Sequence, residues 1–211
     1  MISHQHKTIF IHIPKTAGQS IETLFLDNLG LSWEQRHHLL LRQNQNPAFG
    51  PPRLAHLSLT EYLTCNYISR IKFDSYFKFS LTRNPWDRAV STYKYITKGK
   101  RPFWEFISKE LTNKNSPLFY FYRPQSDYVK DPYGRLQTNF IGKFETINQD
   151  ISLIKARLSL EGDLKHINVS QIKTTTETQE SKAYRNFYDL NTKKMIEEFY
   201  AQDIKSFGYK F

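Results

Sequence analysis

Lys15, Thr16, Gly18 and Ser20 crowd into one short turn, within the run Phe10-Ile-His-Ile-Pro-Lys-Thr-Ala-Gly-Gln-Ser20. One cation, a hydroxyl, a glycine and a second hydroxyl in that order suit the capture of an anion. Lys15 supplies a full charge, Thr16 and Ser20 can donate hydroxyl protons, and Gly18 lets the backbone come close to a ligand. The order excludes a Walker A box, in which the glycines precede the lysine. Arg83 and Ser91 form a second candidate pair, in Arg83-Asn-Pro-Trp-Asp-Arg88 and the residues after it. A guanidinium can take a phosphate with two parallel hydrogen bonds, and a hydroxyl two turns along a helix can add a third. The local alternative is an ion pair between Arg83 and Asp87, with Ser91 a neutral helix residue.

Both groups need a strand that delivers the chain and a helix that receives it. Residues 8–13 are largely apolar and rich in β-branched side chains, long enough for a buried strand, and Pro14 stops them. Ile21, Leu24, Phe25 and Leu29 then recur at helical spacing over residues 20–29. Helix starts carry unpaired N–H groups and partial positive charge, which is what an anion seeks. Residues 76–82 read as a second strand; Asn84 suits an N-cap, Pro85 the first helical position and Asp87 the first turn. Further on, residues 33–43 are expected to be helical, and Ser58-Leu-Thr-Glu61 is a capping box opening a helix to about residue 68. Residues 102–111 suit a helix and 138–144 a strand. Thr146-Ile-Asn-Gln149 is a second capping box, opening a helix to about residue 158. Residues 164–169 are expected as a short strand, 174–181 as an exposed loop, and 191–206 as a final helix or helix pair. Strand–helix alternation predicts an α/β fold with a mainly parallel sheet, whose ligands sit beyond the strands' carboxyl ends.

The two segments together resemble the sulfotransferases that use 3′-phosphoadenosine 5′-phosphosulfate (PAPS). The likeness is to the carbohydrate, heparan-type group with a His-Ile-Pro-Lys-Thr-Ala-Gly loop and an Arg-Asn-Pro-Trp-Asp-Arg-x-x-Ser segment. It extends to His56-Leu-Ser-Leu-Thr-Glu-Tyr62, Gly142-Lys-Phe-Glu145, His166-Ile-Asn168 and residues 200–209, nearly the whole chain. The resemblance implies a P-loop-like three-layer fold, a single domain over residues 1–211, and transfer of the sulfuryl group of PAPS to a hydroxyl, leaving 3′-phosphoadenosine 5′-phosphate (PAP). It places the 5′-phosphosulfate on Lys15, Thr16, Ala17, Gly18, Gln19 and Ser20, and the 3′-phosphate on Arg83 and Ser91. Gln19 stands where Thr is commoner in the group, a change tolerated if the backbone N–H does the binding. Lys15 is implied as catalytic, and His56 as the general base, since imidazole titrates near neutrality. Glu61 is read as the capping carboxylate and His12 as structural support for the loop. No metal is required, and His37-His38 lack the spacing of two ligands on one helix face. The expected partner is an anionic or neutral carbohydrate, or another hydroxyl acceptor, and not nucleic acid. Lys98, Lys100, Arg101 and Arg123 among Phe103, Trp104, Tyr120 and Tyr122 suit an anionic sugar or core packing equally. Asn168 and Ser170 are candidates to approach the adenosine.

Composition bounds the alternatives. The 211 residues are 39% hydrophobic with 16 Phe and 13 Tyr, enough for a substantial core. A net charge of +10 calls for an anionic partner without naming it. The single Cys65 excludes an intrachain disulfide framework and suits a reducing compartment. No run approaches the roughly 20 apolar residues of a membrane span, and no signal core follows Met1. Vertebrate members of the group it resembles are anchored in the Golgi; the start at Met1, just before the first strand, favours a soluble, cytoplasmic microbial enzyme over one whose anchor was removed. Two rival readings remain compatible with these features. One is a nucleotide or small-molecule kinase of similar fold, which the position of Lys15 before Gly18 disfavours. The other is a non-catalytic polyanion-binding module driven by charge alone.

Overall fold

The computed structural model describes residues 1–165 and 179–211. The elements in chain order are β1 (Ile2–Ser3), β2 (Thr8–Ile11), α1 (Gly18–Asn28), α2 (Leu59–Thr64), α3 (Arg70–Ser75), β3 (Phe77–Thr82) and α4 (Pro85–Thr97). There follow α5 (Phe103–Phe106), α6 (Phe119–Tyr122), α7 (Ser126–Val129), β4 (Phe140–Lys143), α8 (Ile147–Leu158), α9 (Leu190–Phe199) and α10 (Ala201–Phe207). Two compact units partition them: Met1–Thr82 with Asp127–Asn168, and Arg83–Ser126 with Val169–Phe211.

The first unit is built on a four-stranded sheet in the order β1-β2-β3-β4. β2, β3 and β4 run parallel, with Phe10 opposite Phe79 and Phe79 opposite Phe140, and β1 folds back antiparallel on β2. Every residue of β2 is buried, as a parallel strand covered on both faces requires. On one face Phe10 stacks on Phe79 at 4.9 Å, and Phe25 of α1 lies 6.2 Å from Phe79. Arg157 of α8 sits 4.6 Å over Phe77, on the same side. On the other face Lys78 Nζ donates to the carbonyls of Phe73 (2.8 Å) and Tyr76 (2.9 Å), closing the end of α3. This is the mixed α/β architecture, with a mainly parallel sheet flanked by helices, that the strand–helix alternation predicts.

The second unit is helical. α4 and α9 pack together, Tyr93 of α4 meets Phe103 at 5.2 Å and Phe106 at 5.8 Å, and Tyr188 meets Phe103 at 5.0 Å.

Local expectations meet the structure unevenly. The Ser58 box forms, with Ser58 N–H donating to Glu61 Oε2 at 2.6 Å, yet the helix stops at Thr64 and a separate α3 follows. Residues 33–43 give only a short 3₁₀ helix, Trp33–Leu39, which ends at left-handed Leu40. The Thr146 box does not form: Thr146 Oγ1 donates instead to Asp150 Oδ2 at 2.7 Å, the oxygen that also accepts Lys143 N–H. The helix over 102–111 is α5 continued by one π turn, Ile107–Leu111. Leu164 and Lys165 are irregular; the rest of that expected strand lies outside the described residues, as do residues 174–178 of the expected loop. Gln179–Phe187, which includes the remainder of that loop, is a 3₁₀ helix.

Candidate functional site

β2 and β3 are parallel neighbours, so the chain leaves both at the same edge of the sheet. After β2, His12 and Ile13 are still buried, Pro14 ends the strand, and the backbone turns sharply. Lys15 (φ 70°) and Ala17 (φ 65°) are both left-handed, with Thr16 between them at negative φ. Non-glycine residues in that region cost roughly 1–3 kcal/mol each and concentrate where a ligand is gripped. Alternation of this kind turns consecutive backbone N–H groups toward one point, the concavity that binds anions. α1 begins at Gly18 with no side-chain cap. Ser20, in the first turn, is 3% exposed, and its Oγ finds no hydrogen-bond partner among the described residues.

The Thr16 hydroxyl does not face outward as its type suggested. It is fully buried and donates to Ile13 O at 2.8 Å, so what Thr16 offers an anion is its backbone N–H. Gly18 has a second role beyond close approach to a ligand. A Cβ there would stand 2.0 Å from Cδ2 of the His12 ring, so the ring occupies the space any side chain would need.

His12 anchors the underside of this loop. Its Nδ1 donates to Glu22 Oε1 of α1 at 2.6 Å, and both side chains are buried. The His12 carbonyl accepts from Nδ1 of His56 at 3.0 Å, and the two rings meet edge to face at 4.4 Å. A carbonyl can only accept, so Nδ1 of His56 carries the proton and Nε2 is its basic nitrogen. His56 is 6% exposed; burial, followed by the His12 charge, holds its pKa well below the ordinary imidazole value. His12 thus meets both His56 and the start of α1 at Gly18, while Lys15, Ala17 and Gln19 are half-buried in the same unit. Glu61 is occupied in the Ser58 box, and His37 and His38 are exposed.

Arg83 and Ser91 belong to the second unit. Asn84 Oδ1 caps α4 by accepting from Trp86 N–H at 3.1 Å and Asp87 N–H at 3.4 Å, with Pro85 at the first position. Arg83 Nε donates to Asp87 Oδ2 at 2.8 Å, the local ion pair named as the alternative above. Asp87 and Ser91 are four residues apart on one face of α4, so Ser91, half-buried, follows Arg83 and Asp87 along that face. The Arg83 backbone is clamped: its N–H donates to Gln125 Oε1 and its carbonyl accepts from Gln125 Nε2, each at 2.8 Å. Asp203 in turn accepts from Gln125 N–H (2.7 Å) and Ser126 N–H (2.8 Å). Burial raises the Asp203 pKa against those hydrogen bonds. Arg88, 1% exposed, spends its guanidinium on the carbonyls of Phe121 and Arg123 and is structural. Glu22, Gln125 and Asp203 escaped the sequence reading because each works through a partner that spacing does not reveal.

Of the aromatic residues considered for an acceptor, Phe103 and Tyr122 are core (8% and 1% exposed), while Trp104 is 57% exposed. Arg101 is paired to Glu110 at 2.9 Å. Asn168 and Ser170 lie outside the described residues. Among the described residues no three His, Cys, Asp or Glu side chains are grouped to hold a metal, and no helix is long and apolar enough to cross a membrane.

A profile described as the sulfotransferase family matches residues 1–210. An uncharacterised protein of Archaeoglobus fulgidus is 28% identical over 101 residues, covering 47% of this chain and 81% of that protein. No solved structure matches.

Proposed function

The chain belongs to the sulfotransferase family, and on that footing we propose that it moves the sulfuryl group of PAPS to a hydroxyl of a carbohydrate or related acceptor, in line and with a general base. The observation that carries the donor assignment is the turn after β2. It combines two left-handed residues, a helix start without a side-chain cap, and a buried Ser20 hydroxyl with no partner among the described residues. Those features fit a phosphate, which accepts hydrogen bonds only and welcomes the positive end of α1.

PAPS would supply an activated sulfuryl group on a phosphate leaving group. Lys15, the N–H groups of residues 16–19 and the Ser20 hydroxyl would meet the negative charge that grows at that phosphate, each well-placed donor contributing about 3–4 kcal/mol. Arg83, which pairs with Asp87, and the Ser91 hydroxyl would hold the 3′-phosphate. His56 Nε2 would take the acceptor proton.

Thermal unfolding with PAP, adenosine 5′-phosphate, or ATP with magnesium tests this reading. PAP is expected to stabilise the parent, by about 2.7 kcal/mol at a hundredfold excess over Kd. Arg83→Ala should remove most of that effect, while adenosine 5′-phosphate should barely distinguish parent from variant. Stabilisation by ATP alone would replace this reading with a kinase. Salt-sensitive binding of many polyanions, with no nucleotide preference, would replace it with a charge-driven binding module.

A further inference from the structure

In the first unit, after α7, the chain makes a tight hairpin. Lys130 bridges Leu136 antiparallel, and Asp131 N–H donates to Arg135 O at 2.9 Å. Asp131 is its hub: Oδ1 accepts the N–H groups of Tyr133 and Arg135, and Oδ2 accepts Arg135 Nε and Gln137 Nε2, all at 2.9–3.0 Å. Gly134 supplies the left-handed turn (φ 78°). At the tip Tyr133 is 82% exposed, with the Arg135 guanidinium 5.1 Å from its ring centre. A chain segment fastened this tightly holds an aromatic ring in water, where the ring contributes little to folding. Beside it lies an open cavity of about 320 Å³, lined by Thr60, Asp127, Lys130, Asp131, Pro132 and Gly134. That is the size class of small-ligand sites, which start near 300 Å³. Thr60 is in the first turn of α2, four residues beyond His56 and so at most about 14 Å of chain away.

We propose that this hairpin and cavity are the acceptor subsite, and that the acceptor is a pyranose sugar whose apolar face stacks on Tyr133. The inference rests on the sulfotransferase reading above, in which His56 needs a hydroxyl brought to it. Tyrosine suits the task because its ring offers a large contact face with only two side-chain torsions to order on binding. Asp127, Lys130 and the Thr60 hydroxyl line the cavity with donors and acceptors, the chemistry that sugar hydroxyls answer. Lining groups of both signs make ring shape, more than net charge, the recognised feature. Of the aromatics that suited an anionic sugar or core packing equally, Phe103 and Tyr122 are committed to the core.

Saturation-transfer NMR and titration calorimetry, without donor, test it with two probes: cellotetraose as a neutral sugar and an unsulfated chondroitin tetrasaccharide as a uronate-bearing one. At least one should bind the parent. Tyr133→Ala should weaken it about tenfold or more, and Tyr133→Phe, which keeps the ring, should bind within about twofold of the parent. PAP stabilisation should be equal in all three proteins, since Tyr133 is far out in solvent and outside the donor-binding residues. Equal sugar affinity in parent and Tyr133→Ala, or no binding of either probe to the parent, overturns the subsite even if PAP binds. Absence of PAP stabilisation with intact Tyr133-dependent sugar binding overturns the donor reading alone.

Discussion

Neutral imidazole is the form of His56 that its surroundings favour. Burial and the neighbouring His12 charge both oppose protonation, while the bond to the His12 carbonyl fixes the tautomer. The acid limb of turnover should therefore lie below the ordinary imidazole value of about 6.5. His56→Ala should cost about 10²–10⁴ in turnover and leave PAP stabilisation intact. An acid limb at or above 6.5, or near-normal turnover in the variant, would remove His56 from the chemistry. At Gly18 the expectation is steric. Ala would drive a methyl into the His12 ring, and Gly18→Ala should destabilise by about 1–3 kcal/mol in denaturant unfolding. In a His12→Ala background the same change should cost much less, because the obstructing ring is gone. Equal costs in the two backgrounds would mean that His12 does not set the requirement.

Helix starts and strand ends decide where these side chains point, and they were the most legible part of the sequence. Asn84, Pro85 and Asp87 act locally, each within one turn of its target, so α4 begins where residue types say it should. The Thr146 box looked equally good and failed because Asp150, one turn further on, competes for the hydroxyl. Contacts distant in sequence were illegible for the same reason in reverse. Nothing near Asp203 announces that its carboxylate holds Gln125, 78 residues earlier, or that Gln125 clamps Arg83. Asp203→Asn replaces one of two acceptor oxygens with a donor and leaves a buried N–H unpaired. It should cost about 1–3 kcal/mol of stability and, through Gln125, reduce the PAP-induced rise in Tm. If stability falls while the PAP effect is unchanged, the network serves the fold and not Arg83.

Across the molecule, His4, His6 and His56 are all held below the ordinary imidazole value, burial being the first cause in each. A depressed folded pKa means that the unfolded chain takes up protons first as pH falls. Stability is then fully present above about 6.5 and is lost below it. The net charge of +10 grows in the same interval and adds self-repulsion. Tm should fall between pH 7.5 and 5.5, by about 2–4 °C for each kcal/mol lost, and His56→Gln should flatten the slope. A Tm independent of pH over that interval would mean that these imidazoles titrate as they do in the unfolded chain.

The sheet is interrupted in sequence: β3 ends at Thr82 and its partner β4 begins at Phe140. On a ribosome adding about 5–20 residues per second, β4 begins to emerge roughly 3–12 s after β3. Until then β3 offers an apolar, unpaired edge, the kind of surface on which nascent chains associate. Yield of folded protein should thus depend on how β3 is shielded during synthesis, and slower translation would prolong the hazard.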